Sequence, residues 1–215
     1  MWEGRRAYLQ AYLETKTVPA VMIVGQSPGF NGCGFTGIPF TAEINAVTDL
    51  QLSNYHGSSI NKLKTEPSAA KVYEVLAAVS KTKNTSVAEL SKKIVMTNAF
   101  QCIPSKSTGM GLCDKKAVLN LMANNCAGFL KEQIEAVNPR CIITLGEDAL
   151  NSVSNIFNIP KSRMKLTDMV INKVSFNADH NKKIYPLFHP SPKASLHAAA
   201  TSSDAWFIQL LNQYL

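Results

Sequence analysis

Gly25-Gln26-Ser27-Pro28-Gly29, directly after the apolar run Val21 to Val24, is the stretch whose residue types most invite chemistry. The β-branched run reads as a buried parallel strand. A glycine-rich turn at the carboxyl end of such a strand is where open α/β sheets place their ligands. Gly32, Gly34 and Gly37 follow, and the loop closes on Phe40. Glycines let a backbone approach a ligand with no Cβ in the way, and an aromatic side chain can stack on a flat ring. The spacing matches neither GxGxxG nor a P-loop, which excludes those phosphate-binding designs. A tight turn beside a core phenylalanine fits the same residues.

Two more polar segments follow apolar runs. Ile94-Val95-Met96 leads into Thr97-Asn98-Ala99-Phe100-Gln101-Cys102-Ile103-Pro104, and Ile184 to Phe188 leads into His189-Pro190-Ser191-Pro192. Further strands are expected over 141–145 and 170–176. Helical periodicity is expected over 5–14, 68–79, 114–138, 147–157 and 203–214, with a short helix over 86–90 capped by Ser86 and a helix entered at 41–44. Residues 48–66 and 105–111 read as loops. Strands alternating with helices predict one domain over residues 1–215, a three-layer α/β/α fold with a central, mainly parallel four-stranded sheet. In such a sheet the three polar segments leave strand ends on one rim.

The chain has 215 residues, 46% of them hydrophobic, enough for a sizeable core. No apolar run approaches the roughly 18 residues of a membrane span, and residues 1–6 show no secretory h-region. No membrane association is expected. Five scattered cysteines without a CxxC pair favour reduced thiols in an intracellular protein. A net charge of +7 favours polyanionic partners.

Taken together and in order, GQSPG…TGIPF, TNAFQCIP and HPSP resemble the uracil-DNA glycosylase superfamily. Pro139 to Gly146, PRCIITLG, is similar to a strand of its thermostable bacterial and archaeal branches. The TN-x-x-x-C-x-P segment looks like families four and five, and the Gly25-to-Phe40 spacing looks like family five or the single-strand-selective branch. The resemblance implies an enzyme that flips uracil out of DNA and hydrolyses its glycosidic bond, leaving an abasic site. It implies that Phe40 stacks on the base, Asn98 reads its O4 and N3–H edge, and His189 hydrogen-bonds the O2 side as negative charge builds there. Gly25, Gln26 and Ser27 would line the sugar and leaving base. Ser191, with Pro190 beside it, would meet phosphate. The whole arrangement requires one flat ring to fit among Phe40, Asn98 and His189.

The chain departs from the family pattern in several places. Gln26-Ser27 replaces the carboxylate of other branches, so the acid expected to orient or deprotonate water is Glu43, three residues after Phe40; an ordinary first-turn helix acid fits equally. Gly29 replaces a tyrosine that excludes thymine, which leaves hypoxanthine, xanthine or mismatched thymine as further substrates. Cys102 and Cys126 match the last two ligands of a [4Fe–4S] cluster, but the first pair is missing, so no cluster and no other cofactor or metal is expected. Lys106, Lys115, Lys116 and Lys193 are expected phosphate contacts, and Leu196 the wedge filling the gap left by the flipped base. The expected state is a monomer. Two other readings stand beside this one: a catalytically weak or inactive DNA-binding relative, and an unrelated nucleotide-processing α/β enzyme.

Overall fold

The computed structural model describes residues 2–52, 63–101, 115–190 and 200–215, with residues 2–4 and 115–119 as backbone only. In chain order the elements are α1 (Trp2–Glu14), β1 (Val21–Gly25), α2 (Cys33–Thr36), α3 (Glu43–Thr48), α4 (Pro67–Thr82), α5 (Val87–Ser91), β2 (Ile94–Asn98), α6 (Lys115–Val137), β3 (Cys141–Leu145), α7 (Glu147–Ile156), α8 (Leu166–Ile171), β4 (Phe176–Asn177), β5 (Lys183–Leu187) and α9 (Ala200–Tyr214).

The sheet has five strands in the order β2-β1-β3-β5-β4. The pairs β1–β2, β1–β3 and β3–β5 are parallel, and β4 adds an antiparallel edge. The expected four strands are therefore joined by a fifth, of two residues. The strand expected over 170–176 is instead the end of helix α8, a turn and connection over 172–175, and β4 only from Phe176. The reason is packing: Met169 and Val170 bury into opposite cores from one short helix, and Lys173, at φ 50°, turns the chain out of it.

The central strands are buried on both faces, so their sequences run apolar without alternating. Val21, Ile23 and Ile143 face a core filled by Tyr8, Tyr12, Leu76, Val79, Trp206 and Leu210 from α1, α4 and α9. Met22, Val24, Ile142 and Ile184 face the other, filled by Leu130, Ile134, Ala149 and Val153 from α6 and α7. Each such fully buried aliphatic side chain contributes about 1.5–3 kcal/mol. This is the expected three-layer architecture.

Edge strand β2 is covered rather than left open. Tyr12 donates its hydroxyl hydrogen to the Ile94 carbonyl at 3.2 Å and accepts from the Met96 N–H at 3.1 Å. Lys16 reaches the Ser91 carbonyl at 2.6 Å, with its ammonium 3.4 Å from the Tyr12 ring centroid. These contacts satisfy backbone groups that would otherwise invite another strand and fix α1, which carries Arg5 and Arg6, beside the sheet. Among the described residues no helix is long and apolar enough to cross a membrane.

Candidate active site

Chain order places the site before any side chain is considered. From β1 the chain moves outward to β2, then returns to place β3 on the other side of β1. The crevice between the carboxyl ends of β1 and β3 is thus the topological switch point, the usual ligand position in an open α/β sheet. A hydrogen bond spans it: the Gln26 side-chain amide, just past β1, donates to Asp148 Oδ2, in the first turn of α7, at 2.5 Å. Asp148 escaped the sequence reading. The signal was present, since an acid two residues after Gly146 must stand on the same rim as Gln26.

Parallel register brings the next two groups together. Gly25 and Asn98 are Cα partners at the ends of β1 and β2. The loop then folds back. Its Gly32-Cys33-Gly34-Phe35-Thr36 segment contains the short helix α2, which the glycine spacing had read as loop; Gly37, at φ 73°, ends it. Phe40 follows at φ 53°, a left-handed conformation that is rare for a bulky side chain and costs about 1–3 kcal/mol. A buried network holds it there. Thr36 donates to the Thr41 carbonyl at 2.7 Å, and the hydroxyls of Thr41 and Tyr73 lie 3.0 Å apart. The bend turns the Phe40 ring onto Gly25. A Cβ on Gly25 would collide with Phe40 Cζ and lie 2.7 Å from Asn98 Oδ1. Glycine is required here because two side chains occupy its Cβ space.

His189 enters from β5. Gly146 donates its N–H to the Leu187 carbonyl at 2.9 Å, and a Cβ on Gly146 would stand 3.4 Å from His189 Cβ. The Phe40 and His189 rings lie 6.2 Å apart between centroids, tilted by 49°. Phe40 thus has His189 on one side and stands with Asn98 over Gly25 on the other, but the three do not line one pocket as the motifs required. The open space around them is divided. Asn98, with Pro28, Pro39, Gln101, Arg5 and Arg6, lines a cavity of about 340 Å³. His189 and Pro190 line another, of about 460 Å³, with Lys71, Ser203 and Asp204. The 6%-exposed Phe40 ring is next to both polar groups.

The Asn98 carboxamide borders the smaller cavity although the residue is only 3% exposed, and the half-buried His189 imidazole borders the larger. Burial holds the His189 pKa below its usual 6.5, because the imidazolium would lose hydration. The sign for stability follows. The unfolded chain takes up this proton near pH 6.5 and the folded chain only below that, so the unfolded state binds more protons and stability falls as pH drops through this range. Melting temperatures measured from pH 7.5 to pH 5 are expected to fall more steeply for wild type than for His189→Asn; parallel curves would refute this assignment.

Glu43 opens α3, is 8% exposed, and accepts the Lys64 backbone N–H at 3.0 Å. It lines neither of the two cavities. Its visible work is to hold the chain where it re-enters towards α4. Gly29 proves to be backed by protein. Cβ atoms at Gly29 and at Gly32 would both strike the Glu66 carboxylate, whose Oε1 accepts from Ser68 at 2.5 Å. The Glu66 carboxylate thus lies directly against the backbone of Gly29 and Gly32. Ser27 is half-buried in the turn.

Ser191, Lys106, Lys193, Leu196 and Cys102 lie outside the described residues, and Lys115 and Lys116 begin α6 as backbone only. Cys33, Cys126 and Cys141 are buried free thiols in three separate places. Burial, with the Glu66 charge nearby, pushes the Cys33 thiol up to about 12. Cys126 Sγ instead accepts the Gln101 N–H at 3.4 Å. The described residues hold no group of three or more His, Cys, Asp or Glu placed to bind a metal.

The fold has solved counterparts. A crystal structure of Pedobacter heparinus SMUG2 superimposes with a TM-score of 0.57, at 19% identity, over 98% of this chain and 82% of that one. A type-5 uracil-DNA glycosylase from Pyrobaculum aerophilum is 27% identical over 172 residues, which are 80% of this chain and 61% of that protein's length. The sequence model of the uracil DNA glycosylase superfamily matches residues 14–215, a span that includes β1 with its glycine loop, the Asn98 strand end and His189. By that match, which spans the whole sheet, the chain belongs to the uracil DNA glycosylase superfamily.

Proposed function

We propose that the protein is a monofunctional DNA glycosylase that takes uracil out of the strand and hydrolyses its N-glycosidic bond, leaving an abasic site. The observation that carries this reading is the placement of the Asn98 carboxamide at the end of β2, against Gly25 and beside the Phe40 ring, where it lines a cavity. A carboxamide both donates and accepts, which matches the O4 and N3–H edge of uracil. Phe40 supplies the stacking surface, and the His189 imidazole supplies the donor for the anion that develops on the departing base. Asn98 and His189 line separate cavities beside Phe40, and this reading requires the two to join around the bound base.

In this scheme the acid that serves the sugar side is Asp148, acting through Gln26, while Glu43 holds the loop. Asp148 is a positioning residue, since its carboxylate fixes the rotamer of the amide that meets the substrate. Asp148→Ala is expected to lower single-turnover excision about tenfold through lost orientation, and Asp148→Asn, which retains an acceptor oxygen, to recover most of it. Equal rates in wild type and both variants would remove Asp148 from the scheme.

The test of the reading itself is incubation with oligonucleotides that contain uracil, hypoxanthine or a mismatched thymine, followed by alkali. Strand scission at uracil supports it. Tight binding without scission would move the protein to a non-catalytic DNA-binding role. Turnover of free deoxyuridine with intact oligonucleotides would make it a nucleotide-processing enzyme.

A further inference from the structure

Phe30 stands at the tip of the glycine-rich loop, 69% exposed, two residues from the Pro28 that lines the Asn98 cavity. Single exposed apolar side chains are ordinary on protein surfaces, and Phe129 on α6, at 59%, is one. Phe30 differs in being held. The Gly34 N–H donates to the Gly29 carbonyl at 2.8 Å across the base of the loop. From behind, the Glu66 carboxylate fills the Cβ space of both Gly29 and Gly32. In front, Phe30 meets Phe35 edge-on, with centroids 6.4 Å apart and planes at 84°. An edge-on partner orients a ring while leaving its face open.

Two cations stand beside the elements that hold this ring. The Lys64 ammonium lies 5.6 Å from the Phe35 centroid, and Arg6, exposed on α1, lines the same cavity as Asn98. Glu66, the acid behind the loop, is turned inward, with Oε1 on Ser68 and Oε2 buried and unpartnered. An oriented aromatic face flanked by cations is the chemistry that grips a single nucleic-acid strand, through base stacking and phosphate neutralisation. Resting on the function proposed above, we infer that Phe30, with Arg6 and Lys64, forms a strand-gripping contact at the mouth of the Asn98 cavity. Phe30 stacks on a base beside the extruded nucleotide, and the two cations meet the adjoining phosphates. The contact favours single-stranded or opened DNA, because a base paired in a duplex cannot offer its face.

The test uses the full chain and short single-stranded oligonucleotides that carry a tetrahydrofuran abasic analogue, with 2-aminopurine on its 5′ or 3′ side. Wild type is expected to bind, and to change the 2-aminopurine fluorescence at one of the two positions. Phe30→Ala is expected to lose that change and to bind about tenfold more weakly, as for one lost stacked base. Phe30→Trp should restore both, and Phe129→Ala should match wild type. Arg6→Gln and Lys64→Gln should each lower the slope of log affinity against log salt by about 0.7. Melting temperatures serve as the folding control, and the exposure of Phe30 means they should not move. Unchanged binding and fluorescence in Phe30→Ala, or no binding by wild type, overturns the inference. Uracil excision measured on the same proteins keeps the two proposals apart. Scission with Phe30→Ala indistinguishable from wild type defeats the strand contact alone. Binding that depends on Phe30 without scission defeats the excision reading alone.

Discussion

Asn98→Ala is expected to lower the single-turnover rate of uracil excision by about 10²–10³-fold, the usual cost of removing one preorganised donor to a developing oxyanion. The carboxamide lies at the end of β2, paired in register with Gly25, so its position is set by the sheet and not by a loop. Rigid placement is what makes such a donor effective, because no reorganisation is needed as charge develops. Asn98→Asp is not expected to rescue. An ionised carboxylate only accepts, and it would repel the anionic base instead of donating to it. Binding to DNA with an abasic analogue should change little, since no base is present to be read. The measurement is a rapid-mixing time course with enzyme in excess, read beside the melting temperature. A rate within threefold of wild type for a folded Asn98→Ala protein would sink the assignment.

Gly25→Ala is expected to lower excision by about 10²-fold as well, for a different reason. The added methyl deletes no functional group. It enters the space already taken by Phe40 Cζ and stands 2.7 Å from Asn98 Oδ1, so both recognition groups must shift. Displacement of reacting partners by about 1 Å is enough for a loss of that size. Overpacking should also cost about 1–3 kcal/mol of stability, visible as a lower denaturant midpoint. Gly128→Ala is the matched control. Nothing lies within 4 Å of a Cβ there, and the position is inside α6, so about 0.5–1 kcal/mol of helix stability should be gained. If Gly25→Ala retains full activity, Phe40 and Asn98 do not converge where the structure places them.

Much of this arrangement was legible in the residues because it depends on local pattern. The runs Val21 to Val24, Ile94 to Thr97 and Cys141 to Leu145 can be little other than doubly buried strands, and the folded chain makes them so. Ser86 caps α5 as its type suggests, accepting the Glu89 N–H at 3.1 Å. The errors fell where burial competes with periodicity. Val170-Ile171 looks β-prone, but it ends a helix because Met169 and Val170 reach two different cores. The glycine loop looks irregular, but its partners allow one turn of helix, α2.

Sequence by itself determined that three polar segments follow strands and must gather on one rim, because in a parallel sheet all carboxyl ends point the same way. It also determined the residue types offered there: a carboxamide, an imidazole, an aromatic ring and a glycine turn. Only the tertiary structure decided which acid stands at the switch point. Asp148 meets Gln26 across 122 residues of chain while Glu43, three residues from Phe40, is tied to Lys64. It decided too that Glu66 lies against the backbone of Gly29, and that Asn98 and His189 open on different cavities next to one ring. The physical reason is common to all three. Strand order and loop closure set distances between residues far apart in the chain, and no local preference encodes those distances.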